Sequence, residues 1–443
     1  MSLPTPLSKV EKLQNSLQAK AKSEPNYRFY SLWDKICRED ILREAYRRSR
    51  ANAGAPGVDG IDFEAIETAG VERWIKALQE ELRSKSYIPQ PLLRVWIPKR
   101  NGGQRPLSIP TVKDRVVQTA LVLVLSPIFE TDLQPQQYGF RPGLDAKMAV
   151  RRVFFHITEH GRREVVDADL SDYFTSIPHS PLLKCVTRRV VDRQVLSVIK
   201  QWLTAPVWER TRRGATLRTT EARDRKRGTP QGGSASPLLA NLYFRRFVRA
   251  WYEHGHYRLL DAHVVNYADD LVICCRPGNG AAALKIMEHL MTQLGLTVNH
   301  RKTRIACLPG ESFDFLGYTV GRFYGKDGRA FIGTEPSRKA VKRIIERIHD
   351  ETARRWNLET VESRVDKLNA LLRGWGGYFN QGRVNRAYKV VQDYTESRLR
   401  RWMMRRRGMR GTGYCQYPNE HLYETLGLYK LPRRRSSVAN AKA

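Results

Sequence analysis

Acidic residues are scarce in this 443-residue chain: 45 Asp and Glu stand against 77 Lys and Arg, for a formal net charge of +32. An excess of this size is greater than solubility requires and indicates a polyanionic partner. The six cysteines form no C-x-x-C pair, so neither a zinc site nor a disulfide framework is expected. The chain lacks an apolar run long enough to span a bilayer, and it lacks the apolar N-terminal segment of a secretion signal. We therefore expect a cytoplasmic protein without a membrane partner.

The stretch from Val264 to Ile273 places apolar runs on both sides of two adjacent carboxylates, Asp269 and Asp270. This pattern predicts a strand, a tight turn and a second strand. Taken alone, an Asp-Asp turn is typical of a solvated surface. A separate apolar run leads into Asp169, however. Three carboxylates at neighbouring strand ends in a basic chain favour a two-metal nucleotidyl-transfer centre.

Beyond Pro336 the composition changes, and apolar residues recur at helical spacing from Val341 to Ile348 and from Leu368 to Trp375. The stretch from Arg398 to Arg410 holds seven arginines and no acid, interleaved with an aromatic residue. A run of charge is typical of a solvated helix face. The density of this run, together with the aromatic residue, favours an RNA-binding surface.

The tetrapeptide Tyr267-Ala268-Asp269-Asp270 resembles the YxDD signature of reverse transcriptases, and residues Pro230 to Pro237 resemble their PQGxxxSP motif. From about Lys9 to Lys430 the chain is similar to a group II intron-encoded reverse transcriptase with its maturase domain. Longer relatives continue into a DNA-binding region and an HNH endonuclease. Neither is recognisable here, so we expect the form that lacks the HNH domain.

The resemblance implies an α+β protein, with a right-hand polymerase fold of fingers and palm followed by an all-helical thumb/maturase domain. We expect a basic N-terminal extension over 1–60, fingers and palm over 61–334, the helical thumb/maturase domain over 335–410 and a basic C-terminal tail over 411–443.

The resemblance also assigns the catalytic residues: Asp169, Asp269 and Asp270 are expected to bind two Mg²⁺ ions, with Mn²⁺ as a substitute. The backbone carbonyl of Leu170 is expected to join the metal ligands. One metal ion would activate the primer 3′-hydroxyl, and the other would neutralise the triphosphate.

The nucleotide contacts implied by the resemblance are Lys99, Arg105, Phe174, Gln231 and Lys302. The first two lie on either side of a Gly-Gly turn, which predicts a β-hairpin that brings two cations together. Taken alone, such a hairpin is usually just exposed and basic. Phe174 stands five residues after Asp169, where the family places a ring beneath the sugar that excludes a 2′-hydroxyl. Without the family, a core position is the more common reading of that ring.

Two more sites follow from the resemblance. Leu316, Gly317 and Tyr318 are expected to form the primer grip, where a tight turn presses backbone against the primer end. The expected RNA-binding residues all lie in the helical C-terminal third: Arg373, Arg398, Arg400, Arg401, Arg405, Arg406 and Arg407.

The predicted function is RNA-directed DNA synthesis together with assistance to group II intron splicing and mobility. The expected partners are structured intron RNA, an RNA template with a DNA primer, dNTPs and target DNA, in the bacterial cytoplasm or at the nucleoid. Three alternatives remain open: a domesticated reverse transcriptase in defence or DNA repair, a maturase that acts only as an RNA-binding splicing factor, and an RNA-dependent RNA polymerase.

Overall fold

The computed structural model describes residues 7–98, 104–210, 216–325 and 327–433. Helix predominates over strand, with 51% of residues helical and 15% in strands, which confirms the expected mixture of helix and sheet. Within the described ranges, no helix has the length and apolar character needed to cross a membrane.

The described helices, in chain order, are α1 (Lys9–Ser23), α2 (Trp33–Ile36), α3 (Glu39–Ala51), α4 (Phe63–Ala69), α5 (Val71–Arg83), α6 (Val112–Glu130), α7 (Ala146–Thr158), α8 (Tyr173–Ser176), α9 (His179–Thr187), α10 (Arg193–Leu203), α11 (Glu221–Arg225), α12 (Ser236–Glu253), α13 (His256–Leu259), α14 (Gly280–Gln293), α15 (Arg338–Glu351), α16 (Val361–Tyr378) and α17 (Asn385–Arg406).

The described strands, in chain order, are β1 (Leu92–Pro98), β2 (Gln104–Ile109), β3 (Glu164–Asp169), β4 (Val207–Arg210), β5 (Thr216–Thr219), β6 (His263–Tyr267), β7 (Asp270–Cys275), β8 (Arg304–Cys307), β9 (Phe313–Phe315), β10 (Tyr318–Tyr324) and β11 (Ala330–Pro336). They form three sheets, which we call the hairpin sheet (β2-β1-β4-β5), the central sheet (β6-β7-β3-β8) and the small sheet (β11-β10-β9).

The central sheet is antiparallel and lies between two hydrophobic clusters. Because successive side chains of a strand point to opposite faces, Val166 joins the larger cluster while Val165 joins the smaller one. The larger cluster contains residues of the N-terminal helices, of α6 and of α12. Most side chains of α6 between Val116 and Leu125 are buried, as is typical of a helix that is apolar on all sides.

The C-terminal third packs as a helical domain, made of α15, α16, α17 and the described residues that follow them. The predicted helical spacing is confirmed, since α15 buries Ile344 and Ile348 and α16 buries Leu368 and Leu372. Residues beyond 410 belong to the same core: their buried members are Tyr417, Leu422, Leu428 and Leu431. The described part of the tail therefore completes this hydrophobic cluster.

Candidate active site

Three carboxylates meet at one end of the central sheet. Asp169 is the last residue of β3 and lies directly across from Asp270, the first residue of β7. Asp270 is also paired with Tyr267 at the end of β6, so only Ala268 and Asp269 form the turn between these strands. We call β6, this turn and β7 the Asp-Asp hairpin. Strand register thus brings together side chains that are about a hundred residues apart in sequence.

The turn of the Asp-Asp hairpin is held by hydrogen bonds from a buried side-chain amide. The Nδ2 of Asn266 donates to the carbonyl oxygens of Ala268 (2.8 Å) and Asp270 (3.2 Å). Ala268 itself has a φ of 59°, which is uncommon for a residue with a side chain. Gly139 lies against the same turn: a Cβ built on it would lie 2.5 Å from the Ala268 nitrogen. A glycine is therefore required at 139 for the backbones to approach this closely.

Asp169 is oriented from the segment that precedes β8. The Nδ2 of Asn299 donates to its Oδ2 at 3.0 Å, and the Asn299 N–H donates to its carbonyl oxygen at 2.8 Å. The Lys302 ammonium lies 3.2 Å from the same Oδ2. Lys302 was among the residues predicted from the sequence, whereas Asn299, three residues earlier, was not.

The electrostatics of the site reflect crowded negative charge. Asp270 is accessible to solvent yet surrounded by protein on most sides. This desolvation, followed by repulsion from Asp269, raises the pKa of Asp270 to about 7. Burial also raises the pKa of Asp167, two residues before Asp169, to about 6. A cation at this sheet end would relieve the repulsion.

The donor set suits a magnesium ion bound with its substrate. Across the described ranges, no three His, Cys, Asp or Glu side chains are already grouped to hold a metal ion. Mg²⁺ in polymerase sites is commonly bound by one or two carboxylates, with phosphate oxygens and water as the other ligands. The cross-strand pair Asp169 and Asp270, with Asp269 beside it, provides such oxygens. The residues therefore fit the expected ion.

Of the two expected triphosphate contacts, only the backbone of Arg105 belongs to the described part of the chain. Lys99 lies outside the described residues. Arg105 is paired through its backbone with Ile97 in the antiparallel β1–β2 hairpin, as predicted for a strand pair here. The base of this hairpin is joined to Gln231, whose carbonyl oxygen accepts from the Ser108 N–H at 2.7 Å.

Gly232 makes the approach between this loop and the hairpin sheet possible. Its φ is +122°, and a Cβ on it would lie 2.4 Å from the Ser108 carbonyl oxygen. Both the left-handed conformation and the close contact require glycine. The structure thus places the Gln231 loop against the β1–β2 hairpin.

Phe174 is fixed by the start of the same loop. Its carbonyl oxygen accepts from the Thr229 N–H at 2.7 Å. The ring is half-buried and packs against the larger hydrophobic cluster, edge-on to Tyr173 at 5.5 Å. The Phe174 ring therefore packs at the edge of the hydrophobic core, and part of it remains accessible to solvent.

The predicted primer-grip residues form a tight turn between β9 and β10. Leu316 (φ 48°) and Gly317 (φ 81°) are the two turn residues, because Phe315 pairs with Tyr318. Two consecutive positive φ values are typical of the tight turns that join adjacent antiparallel strands. The Gly317 carbonyl oxygen accepts from the Ser337 N–H at 2.8 Å, which attaches the turn to the start of α15.

The seven arginines expected to bind RNA divide into three groups: exposed, half-buried and buried. Arg373, Arg401, Arg406 and Arg407 are exposed. Arg398 and Arg405 are half-buried. Arg398 donates to the Thr352 hydroxyl at 2.9 Å, and Arg405 donates to the Thr352 carbonyl oxygen at 2.9 Å.

The expectation that Arg400 binds RNA is wrong, because its side chain does not face solvent. It is only 3% exposed. Its guanidinium donates to the Tyr417 carbonyl oxygen at 2.8 Å and to Asn419, and it is paired with Glu396. Arg400 therefore holds the segment after α17 in place and is not available to an external phosphate.

Comparisons with known proteins match two successive parts of the chain to two family models. Residues 97–320 match the family model described as reverse transcriptase (RNA-dependent DNA polymerase), and residues 341–415 match the group II intron, maturase-specific domain. The chain is 31% identical to Protein YkfC of Escherichia coli over 369 residues, covering 75% of this chain and 93% of that protein.

Intron-encoded proteins are also among the relatives. The group II intron-encoded protein LtrA of Lactococcus lactis is 32% identical over 216 residues, covering 48% of this chain and 34% of LtrA. A 91 kDa protein encoded in the cob intron of Schizosaccharomyces pombe is 23% identical over 436 residues, covering 81% of this chain and 52% of that protein.

Proposed function

The chain belongs to the reverse transcriptases, as an RNA-directed DNA polymerase with a group II intron maturase-specific domain, and from this we propose that Asp169, Asp269 and Asp270 form its polymerisation centre. We assign the hairpin sheet to the fingers, the central sheet to the palm and the helical domain to the thumb. The observation that carries the proposal is the register that sets Asp169 across from Asp270, with Asp269 in the adjoining turn.

The three carboxylates, with the Leu170 carbonyl beside them, would hold two Mg²⁺ ions, or Mn²⁺ in their place. When bound, the ions lower the pKa of the primer 3′-hydroxyl and neutralise the triphosphate charge. Asn299 keeps the Asp169 carboxylate in one orientation through its 3.0 Å hydrogen bond. The buried Asn266 keeps the turn of the Asp-Asp hairpin from moving. Both residues reduce the reorganisation needed before reaction.

We propose that five other residues contact the incoming nucleotide. Lys99, Arg105 and Lys302 supply positive charge for the triphosphate, and Gln231 lies against the nucleotide and the template base. The Phe174 ring lies beneath the sugar and disfavours a 2′-hydroxyl. The support for this last role is the half-buried ring, on a residue whose backbone carbonyl accepts from the Thr229 N–H at 2.7 Å.

We assign RNA binding and splicing assistance to the helical domain and its exposed arginines, Arg373, Arg401, Arg406 and Arg407. Contacts to RNA phosphates are electrostatic, which agrees with the net charge of +32. The partner is structured group II intron RNA. Intron mobility adds target DNA as a partner, within a bacterial cytoplasm or nucleoid.

The test is primer extension on an RNA template with a DNA primer and dNTPs. We expect extension with Mg²⁺ and none after chelation. Asp269→Asn should lower the rate by several orders of magnitude, because a shared ligand affects both metal ions. Near-normal extension by the Asp269→Asn protein would overturn this centre. Tight intron RNA binding without any extension by the wild type would favour the splicing-factor alternative, and preferred use of rNTPs would favour an RNA polymerase.

A further inference from the structure

Two reciprocal hydrogen bonds join the end of α16 to the turn between β9 and β10. The hydroxyl of Tyr378, the last residue of α16, donates to the Leu316 carbonyl oxygen at 2.8 Å. In return, the hydroxyl of Tyr318 donates to the Tyr378 carbonyl oxygen at 2.6 Å. The helical domain and the turn are thus linked through a closed pair of bonds between side chain and backbone.

The next residue, Phe379, adds a close contact between its ring and Gly317 of the turn. A Cβ built on Gly317 would lie 3.2 Å from the Phe379 ring. Gly317 also has a φ of +81°, so no other residue fits this position without strain. The turn therefore lies directly on an aromatic ring supplied by the helical domain.

The Asp-Asp hairpin belongs to the same hydrophobic cluster. Val265 and Val272 of its strands are buried together with Phe379, and Tyr267 and Tyr378 pack against this cluster. Burial, with smaller effects of Tyr267 and then of nearby acids, raises the pKa of Tyr378 to about 12. The hydroxyl thus remains a donor at neutral pH. A movement of the helical domain would therefore shift the turn relative to the Asp-Asp hairpin, which carries Asp269 and Asp270.

We propose that Tyr378 is a positioning residue for polymerisation: its hydrogen bond to Leu316 fixes where the turn holds the primer 3′ end relative to the Asp-Asp hairpin. The inference rests on the proposed role of Leu316, Gly317 and Tyr318 as the primer grip. In-line attack is sensitive to displacements of about 1 Å, so a loosened turn lowers the rate of the chemical step. Binding of the dNTP should change little, because its proposed contacts lie on other elements.

The experiment measures single-nucleotide incorporation by Tyr378→Phe at saturating primer–template. Loss of one buried hydrogen bond corresponds to about a fivefold decrease in the maximal rate, with an unchanged KM for the dNTP. Tyr318→Phe, which removes the return bond, should show the same pattern. A loss confined to primer–template affinity, or a rate equal to wild type, would overturn the proposal.

The matched control is Tyr423→Phe. The Tyr423 hydroxyl, which is half-buried like that of Tyr378, donates to Glu396 and accepts from the Gln392 side-chain amide at 2.9 Å within the helical domain, away from the turn. This variant should lose a similar amount of thermal stability while keeping the wild-type maximal rate. Equal rate losses in Tyr378→Phe and Tyr423→Phe would reduce the effect to general destabilisation and overturn the positioning role.

The same assay separates this inference from the proposed function. Wild-type protein without Mg²⁺-dependent extension would overturn both. Active wild-type protein with an inactive Asp269→Asn variant, but with a Tyr378→Phe rate indistinguishable from that of Tyr423→Phe, would overturn the positioning role alone.

Discussion

Asn299 holds Asp169 through two hydrogen bonds, one from its side-chain amide to Oδ2 (3.0 Å) and one from its backbone N–H to the carbonyl oxygen (2.8 Å). The backbone N–H of Asp169 in turn donates to the Thr303 hydroxyl at 3.2 Å. Both the rotamer and the backbone of this carboxylate are thereby fixed from a single short segment. Residues that orient metal ligands in this way tune the ligands they support.

We predict that Asn299→Leu lowers the maximal extension rate by roughly tenfold to a hundredfold and raises the Mg²⁺ concentration needed for half-maximal activity. The reason is that Asp169 loses the amide that orients it. A Mg²⁺ titration of single-nucleotide incorporation provides the measurement. His300→Ala, at an exposed neighbouring position, is the control. A wild-type Mg²⁺ dependence in Asn299→Leu would contradict the orienting role.

Phe174→Val should raise the ratio of ribonucleotide to deoxynucleotide incorporation by roughly tenfold to a hundredfold. A smaller side chain leaves room for the 2′-hydroxyl, while the Thr229 hydrogen bond to the Phe174 backbone remains. Matched dNTP and rNTP incorporation by both proteins gives the ratio. Phe323→Val, which alters a half-buried ring on β10, should leave it unchanged. The same ratio in all three proteins would leave Phe174 with a core role only.

The exposed arginines at the end of α17 should dominate the salt dependence of RNA binding. Replacing Arg401, Arg406 and Arg407 with Ala should flatten the slope of log K against log salt by about two to three units for structured intron RNA. Extension of a short primer–template should decrease much less. Filter binding across a salt series measures the slope. Identical slopes for variant and wild type would identify this run as a solvated face.

Arg400→Ala should act on folding instead of RNA contact. Removing this buried guanidinium leaves Glu396 and the Tyr417 carbonyl oxygen without their partner. We expect the free energy of unfolding to decrease by about 3 kcal/mol. Arg401→Ala, one residue along and exposed, should change it by less than about 0.5 kcal/mol. Denaturant unfolding compares the two, and equal stabilities would contradict the structural role of Arg400.

Two stacked histidines predict acid sensitivity. The rings of His156 and His263 lie 4.9 Å apart, and the Arg162 guanidinium contacts the His156 Nδ1 at 2.9 Å. Burial, together with this nearby positive charge, lowers the pKa of His156 to about 3 and that of His263 to about 4. An unfolded chain protonates histidine at about 6.5. The unfolded state therefore takes up protons first as the pH falls, and stability decreases below that value.

Between about pH 8 and pH 5, the free energy of unfolding of His156→Asn should decrease by about 2 kcal/mol less than that of the wild type. The asparagine oxygen can still accept from Arg162 but does not titrate. Unfolding midpoints across this pH range measure the difference, with His289→Asn on the exposed face of α14 as the control. Parallel pH profiles for His156→Asn and wild type would contradict the assignment.

Local pattern was sufficient for much of the chain. Apolar runs around Asp269 and Asp270 predicted the Asp-Asp hairpin, and spacing near Ile344 and Leu368 predicted α15 and α16. These features depend on strand alternation, turn chemistry and helical period, which are properties of neighbouring residues.

Only the tertiary structure determined the contacts between distant segments. Asn299 reaches Asp169 across 130 positions, and Tyr378 reaches Leu316 from another domain. Arg400 has the same sequence surroundings as Arg401, yet it is buried because the chain after α17 folds back over it. The burial and the hydrogen-bond partners of a residue depend on which distant segment packs against it. Composition and periodicity describe only neighbouring residues, so they do not predict that contact.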